Sequence, residues 1–127
     1  MNKKEEVRPR GIWRLQVRNS EGVIVQDYTE TNLVPSVAKE AFALQMTPSR
    51  TVNVGDNMYI ALGDDDAPPS LGDTTLGNET TRKLATFQSA LSNVTSIRVF
   101  FAETEATGIH KEFGLFGDGG TTSATIS

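Results

Sequence analysis

The stretch Ile12-Trp13-Arg14-Leu15-Gln16-Val17-Arg18 alternates between apolar and polar side chains. Such a period of two is typical of a half-buried β-strand, which turns one set of side chains inward. The set predicted to face inward is Trp13, Leu15 and Val17. Residues 19–22 have the composition of a turn, and residues 23–28 predict a returning strand. The folded part of the chain is therefore expected to begin with a β-hairpin.

A change of period marks residues 34–46, where apolar side chains recur at helical spacing. Pro35 suits the first turn of a helix, because its missing N–H is not needed there. Thr47 precedes Pro48, which disfavours helical geometry and ends the segment. We predict one short helix over residues 34–46.

The rest of the chain returns to strand patterns separated by turns rich in Gly and Asn. The predicted strands cover residues 57–62, 83–91, 94–102, 109–116 and 122–126. Together with the hairpin, they predict a mainly β fold, an antiparallel β-sandwich of about six to seven strands with one short helix.

The length of 127 residues fits a single domain. We expect a charged N-terminal arm over residues 1–11, followed by one domain over residues 12–127. A long loop rich in Gly, Asp and Pro is predicted at residues 63–78. Loops of this length are uncommon in compact domains and are often functional or held by a partner.

The residue inventory argues against most enzyme classes. There is no cysteine and one histidine, His110, so thiolate catalysis, cysteine-ligated zinc and a two-histidine metal site are excluded within one chain. The chain has no Gly-x-Ser-x-Gly elbow, no Walker loop and no dinucleotide-binding spacing. We expect no catalytic residue, no metal site, no cofactor and no enzymatic activity.

The formal net charge of −4 hides an uneven distribution. Residues 1–18 carry six basic and two acidic side chains, a balance of +4, whereas residues 19–127 carry six basic and fourteen acidic ones, a balance of −8. An acidic domain binds nucleic acid poorly, so no nucleic-acid partner is expected. No apolar run is long enough to cross a membrane, and no apolar stretch of a signal peptide follows the basic start.

Three consecutive acids, Asp64, Asp65 and Asp66, lie in the predicted loop. Calcium prefers several oxygen ligands, but the spacing does not match an EF-hand. Consecutive side chains on an extended backbone point in opposite directions and do not easily converge on one ion. A solvated loop or a contact with a partner is therefore preferred over a calcium site.

Glu112 is a charged residue within an apolar-rich strand pattern, and Arg82 opens another strand. Charged groups near buried strand positions are usually paired. We expect Glu112 to accept hydrogen bonds either from Arg82, as a structural ion pair, or from the backbone of the loop at residues 63–78. An exposed carboxylate on an edge strand is the alternative.

Three segments between residues 57 and 120 form a distinctive series: Tyr59-Ile60-Ala61-Leu62-Gly63, Gly72-Asp73-Thr74-Thr75-Leu76-x-x-Glu79-x-x-Arg82, and Lys111-Glu112-Phe113-Gly114-Leu115-Phe116 with the Gly-Asp-Gly turn that follows. In this order they resemble small bacteriophage structural proteins, in particular the tail-collar fibre domain and related tail-associated or head-associated proteins. The hairpin and the charged arm are not typical of the collar domain. The resemblance implies assembly rather than catalysis.

The expected role is a structural component of a phage particle, in the tail, the baseplate or a fibre junction. Its partners would be other virion proteins and copies of itself, met through the basic arm and the acidic loop. The residues expected at this interface are Lys3, Lys4, Arg8, Arg10, Asp64, Asp65 and Asp66. A capsid decoration protein is one alternative. A receptor- or glycan-binding module is another, but Trp13, Tyr28 and Tyr59 are predicted at core-facing or strand positions rather than on an open surface.

Overall fold

The computed structural model describes residues 10–48, 55, 57–117 and 125–126. Within these residues the fold is mainly antiparallel β with one short helix, as predicted from the sequence. The elements in chain order are β1 (Gly11–Arg18), β2 (Ile24–Asn32), α1 (Ser36–Gln45), β3 (Tyr59–Gly63), β4 (Glu79–Leu84), β5 (Phe87–Leu91), β6 (Val94–Arg98), β7 (Glu112–Phe116) and β8 (Thr125–Ile126).

The described strands form three antiparallel sheets. The central sheet has the order β4-β3-β7-β8, and the β1–β2 and β5–β6 hairpins form two sheets of their own. The β1–β2 register pairs Trp13 with Glu30 and Leu15 with Tyr28, so these four side chains share one face.

Strand β3 is the most buried of the described strands, and β4 and β7 pair with its two edges. Its apolar run Ile60-Ala61-Leu62 is buried throughout, as expected for a strand covered on both faces. A neighbouring core cluster joins Ala38 and Ala41 of α1 to Met58. The central sheet and the helix therefore provide most of the core, and Ile97 of the β5–β6 hairpin packs against it.

The helix begins two residues later than predicted. Pro35 is its N-cap residue, with an extended ψ of 165°, and its carbonyl accepts the N–H groups of Ala38 and Lys39. An N-cap residue keeps extended geometry while it accepts the first helical bond, so Pro35 stands before the first turn instead of inside it. The helix ends before Pro48, as predicted.

The strand predicted over residues 83–91 is two strands. The chain leaves β4 at Leu84, and the next two N–H groups have different partners: Ala85 donates to the carbonyl of Met58 and Thr86 to that of Arg98. These bonds transfer the chain from the central sheet to the β5–β6 hairpin. The strand predicted over residues 109–116 begins only at Glu112, and the one over 94–102 ends at Arg98.

The β1–β2 hairpin is more exposed than its alternating pattern suggests. Trp13 is half-buried against Phe113, with ring centroids 6.1 Å apart. Leu15 and Val17 each keep 38% of their surface exposed. Along the described part of the chain, no helix has the length and apolar character needed to span a membrane.

An ion pair between Lys83 and Glu105 fixes the segment after β6. Lys83 Nζ donates to the Phe100 carbonyl at 2.7 Å and to Glu105 Oε1 at 2.8 Å. The hydrogen bond from Lys83, assisted by the Ala102 N–H, lowers the pKa of Glu105 below its ordinary value. Because the pKa of Glu105 is lower in the folded state than in the unfolded state, this interaction stabilises the fold at pH values above the ordinary carboxyl pKa. The stabilisation is lost as the pH falls through the folded-state pKa.

We expect Lys83→Met to raise the pKa of Glu105 towards its ordinary value, because the main donor is lost. Carboxyl chemical shifts followed by NMR through an acid titration measure this directly. Lys39→Met is the matched control, since Lys39 is exposed on α1. An unchanged Glu105 titration in the Lys83 variant would contradict the assignment.

Candidate functional site

The carboxylate of Glu112 holds both ends of the loop formed by residues 64–78. Its Oε2 accepts the N–H groups of Asp65 at 2.8 Å and Asn78 at 2.9 Å, and its Oε1 accepts that of Gly77 at 2.6 Å. Glu112 is half-buried at the start of β7, directly opposite Gly63. One side chain of the central sheet thus fixes the first and last turns of the loop.

Further contacts close the base of this loop and attach it to the helix. The Asp64 N–H donates to the Asn78 carbonyl at 3.2 Å, and the Asn78 amide donates to the Asp64 carboxylate. At the far side, the Ser36 N–H at the start of α1 donates to the Leu71 carbonyl at 2.8 Å. The loop is therefore attached to the sheet at its ends and to the helix near its middle.

Two glycines permit this close packing. A Cβ at Gly63 would lie 2.5 Å from the Asn78 carbonyl oxygen and 2.7 Å from the Glu112 carboxylate. A Cβ at Gly77 would lie 2.7 Å from the Cβ of Asp65. Gly72, in the same loop, has open space around it.

The predicted ion pair between Arg82 and Glu112 is wrong. Arg82 makes a bidentate pair with Glu79, at 2.8 and 2.5 Å, and its guanidinium lies 4.2 Å from the centre of the Phe116 ring. The reason is strand order: Arg82 on β4 and Glu112 on β7 lie on opposite sides of β3. Two strand spacings put their backbones about 10 Å apart. The alternative expectation, that Glu112 accepts from the loop backbone, is what the structure shows.

The three consecutive loop acids have three different partners. Asp64 contacts Asn78, Asp65 Oδ1 accepts the Ala67 N–H at 3.0 Å, and Asp66 lies 3.8 Å from Lys111 Nζ. Asp66 is 82% exposed. The described residues contain no group of three or more metal-ligating side chains, and the three acids do not converge. Of the basic residues predicted at the interface, Arg10 is exposed, while Lys3, Lys4 and Arg8 lie outside the described residues.

A cavity of about 840 Å³ lies between the β1–β2 hairpin and the 64–78 loop; we call it the hairpin cavity. The hairpin lines it with Trp13, Leu15, Tyr28 and Glu30. The loop and the start of β7 form its other wall, which includes Asp65, Asp66, Asp73, Lys111 and Glu112. The described lining therefore has five carboxylates and one ammonium group. This set of groups suits a ligand that is cationic and partly apolar.

Tyr28 was predicted at a core-facing or strand position; it lies on β2 but is 50% exposed at the hairpin cavity. Its hydroxyl donates to Glu30 Oε2 at 2.9 Å, and this bond raises the pKa of the phenol. Sequence reasoning missed Tyr28 and Glu30 as site residues. The signal lay in their alternate positions on one strand, which place both side chains on the same face.

His110 also lines the cavity. Both of its ring nitrogens are buried and have no hydrogen-bond partner among the described residues. A buried polar group without a partner costs about 1–3 kcal/mol, so His110 is an unfavourable element of this wall.

Removing the charge of Glu112 tests its role in holding the loop. Glu112→Gln should lower the free energy of unfolding by about 2–3 kcal/mol, because three N–H groups lose a charged acceptor. Urea unfolding of this variant and of Glu103→Gln, an exposed control, measures the difference. Equal unfolding midpoints for the two variants would refute the role.

The glycine contacts give a second test of the same geometry. Gly63→Ala should destabilise the fold by about 1–3 kcal/mol, because its Cβ meets the backbone carbonyl oxygen of Asn78 and the Glu112 side chain that holds the loop. Gly72→Ala, which adds the same methyl group in open space, should change stability by no more than about 0.5 kcal/mol. Thermal unfolding of both variants distinguishes them, and similar melting temperatures would contradict the packing described.

Comparison with known proteins finds no family model, no curated protein and no solved structure that matches this chain. The resemblance of residues 57–120 to phage structural proteins has no matching relative to support it and stays a prediction. The geometry of the Glu112 contacts and of the hairpin cavity is therefore the main basis for a functional proposal.

Proposed function

We propose that this chain is a non-catalytic structural component of a bacteriophage particle, located in the virion as a tail, baseplate or fibre-junction protein. It assembles with other virion proteins and with copies of itself through its basic N-terminal arm and its acidic loop. The resemblance of residues 57–120 to phage structural proteins suggests the class of particle. The contacts that hold the 64–78 loop support a role in assembly.

The observation that carries this proposal is the fixed yet exposed acidic loop. Glu112 holds the two ends of the loop through three backbone N–H groups, while Asp66 keeps 82% of its side chain in solvent. A loop ordered in advance loses less conformational entropy when it meets a partner. An acidic surface of this kind fits a basic segment such as the N-terminal arm.

A direct test is to locate the chain in particles. Phage particles produced from the genome that encodes it should contain its peptides by mass spectrometry. Immunogold electron microscopy with an antibody against the chain should label the tail or the baseplate. Labelling of the capsid surface would favour a decoration protein instead, and particles without the chain would refute a virion role.

A glycan-binding module is the second candidate, and one observation favours it. Tyr28 is half-exposed beside Glu30 and Trp13 in the hairpin cavity, an arrangement that could stack against a sugar ring. Binding of the full chain to a glycan array, lost in Tyr28→Ala and retained in Tyr59→Phe, would support this candidate. Absence of the chain from particles together with such binding would favour it over assembly.

A further inference from the structure

The hairpin cavity joins the acidic loop to a surface that the proposed function does not use. We propose that this cavity binds the basic N-terminal arm, residues 1–9 continuing into Arg10, of a second copy of this chain. The inference rests on the proposed function, because it names the partner segment and extends the site of the same acidic loop. Its basis is the charge, the aromatic lining and the size of the cavity.

The charge of the lining is strongly one-sided. Five carboxylates face one ammonium group among the described lining residues. The partners of Glu112, Asp65 and Asp73 are backbone N–H groups, which are neutral and leave the negative charge in place. Glu30 accepts a hydrogen bond from the neutral Tyr28 hydroxyl. A segment with several cations therefore gains attraction here that a neutral ligand does not.

The aromatic wall adds a reason to prefer lysine and arginine side chains over a simple cation. Trp13 is half-buried, so one part of its ring system is held against Phe113 and another part lies at the cavity. The bond between Tyr28 and Glu30 fixes the phenol beside it. Aromatic faces attract ammonium and guanidinium groups, and the aliphatic stems of those side chains cover apolar surface.

The N-terminal arm has the matching composition. Residues 1–10 contain four basic side chains and two acidic ones, and residues 7–10, Val-Arg-Pro-Arg, contain no acid. A proline favours the extended backbone that a groove between a hairpin and a loop can accept. Nine residues span at most about 30 Å when fully extended. The volume of about 840 Å³ lies in the range of about 300–1,000 Å³ found for ligand pockets.

Trp13 provides a direct readout, because it is the only tryptophan and it lines the cavity. The acceptor is the full chain with its arm neutralised by Lys3→Gln, Lys4→Gln, Arg8→Gln and Arg10→Gln. A synthetic peptide with the sequence of residues 1–10 should change the Trp13 fluorescence in a saturable manner. The same peptide with all four basic residues replaced by glutamine should bind at least about tenfold more weakly.

Substitutions in the cavity make the test specific. Glu30→Gln combined with Asp66→Asn should weaken peptide binding by about tenfold or more, since one carboxylate on each wall of the cavity is neutralised. Glu40→Gln combined with Glu103→Gln removes the same charge from exposed positions outside the cavity and should leave binding unchanged. Equal binding to both acceptors, or to both peptides, would overturn the proposal.

Mixing variants shows whether the arm comes from a second copy. In sedimentation velocity, the unmodified chain should self-associate, while the arm variant and the cavity variant should each sediment as monomers. A mixture of the two should associate again, because one supplies intact cavities and the other intact arms. An unmodified chain that stays monomeric, while the arm variant binds the peptide, would mean that each arm fills its own cavity, which would overturn a second copy as the partner.

Different experimental results would refute the proposed function and this inference. Association of the arm variant and the cavity variant to the same extent as the unmodified chain would refute the inference and leave assembly intact. Absence of the chain from phage particles would refute the virion role whatever the peptide does. A saturable Trp13 response to a glycan but not to the peptide would identify a different occupant and overturn the proposal.

Discussion

The carboxylate of Glu112 is the contact on which the arrangement of this molecule depends. It accepts three backbone N–H groups from the two ends of a fifteen-residue loop, residues 64–78. Ordering a loop of this length has a large entropic cost, and charge-assisted hydrogen bonds, which are stronger than neutral ones, offset part of it. With its ends fixed beside Gly63, the loop can form one wall of a cavity. The contacts of Asp64 with Asn78 and of Leu71 with Ser36 add to this fixation.

Local patterns in the sequence predicted most of the elements, but they did not predict the break between β4 and β5 or the neighbours of each strand in space. The period of two at residues 12–18, the apolar run before Gly63 and the helix before Pro48 each follow from side-chain spacing within one segment. The pairing of Arg82 with Glu79 depends on β3 lying between β4 and β7, and no local pattern encodes that strand order. The contact between Glu112 and the loop backbone was one of the two predicted alternatives. A carboxylate near apolar positions needs hydrogen-bond donors, and the backbone of the preceding loop contains them.

The exposure of Tyr28 was missed for a related reason. Alternation identifies the two faces of a hairpin, but whether a face is covered depends on what packs against it. Here the apolar face of β1 and β2 meets the loop across a cavity, so Trp13 is half-buried while Leu15 and Tyr28 stay partly in solvent. A two-stranded hairpin is only marginally stable by itself, so contacts such as that between Trp13 and Phe113 hold it to the central sheet.

Acidic residues around the cavity have two distinct roles, and the donors that surround them decide which. Glu112 is half-buried and its oxygens are occupied by N–H groups of its own chain, so it stabilises the loop. Asp66 is exposed and lies 3.8 Å from the half-exposed Lys111, so it stays accessible to solvent. In the assembly proposed above, Glu112 would fix the wall of the cavity, and the exposed carboxylates beside it would attract a cationic segment.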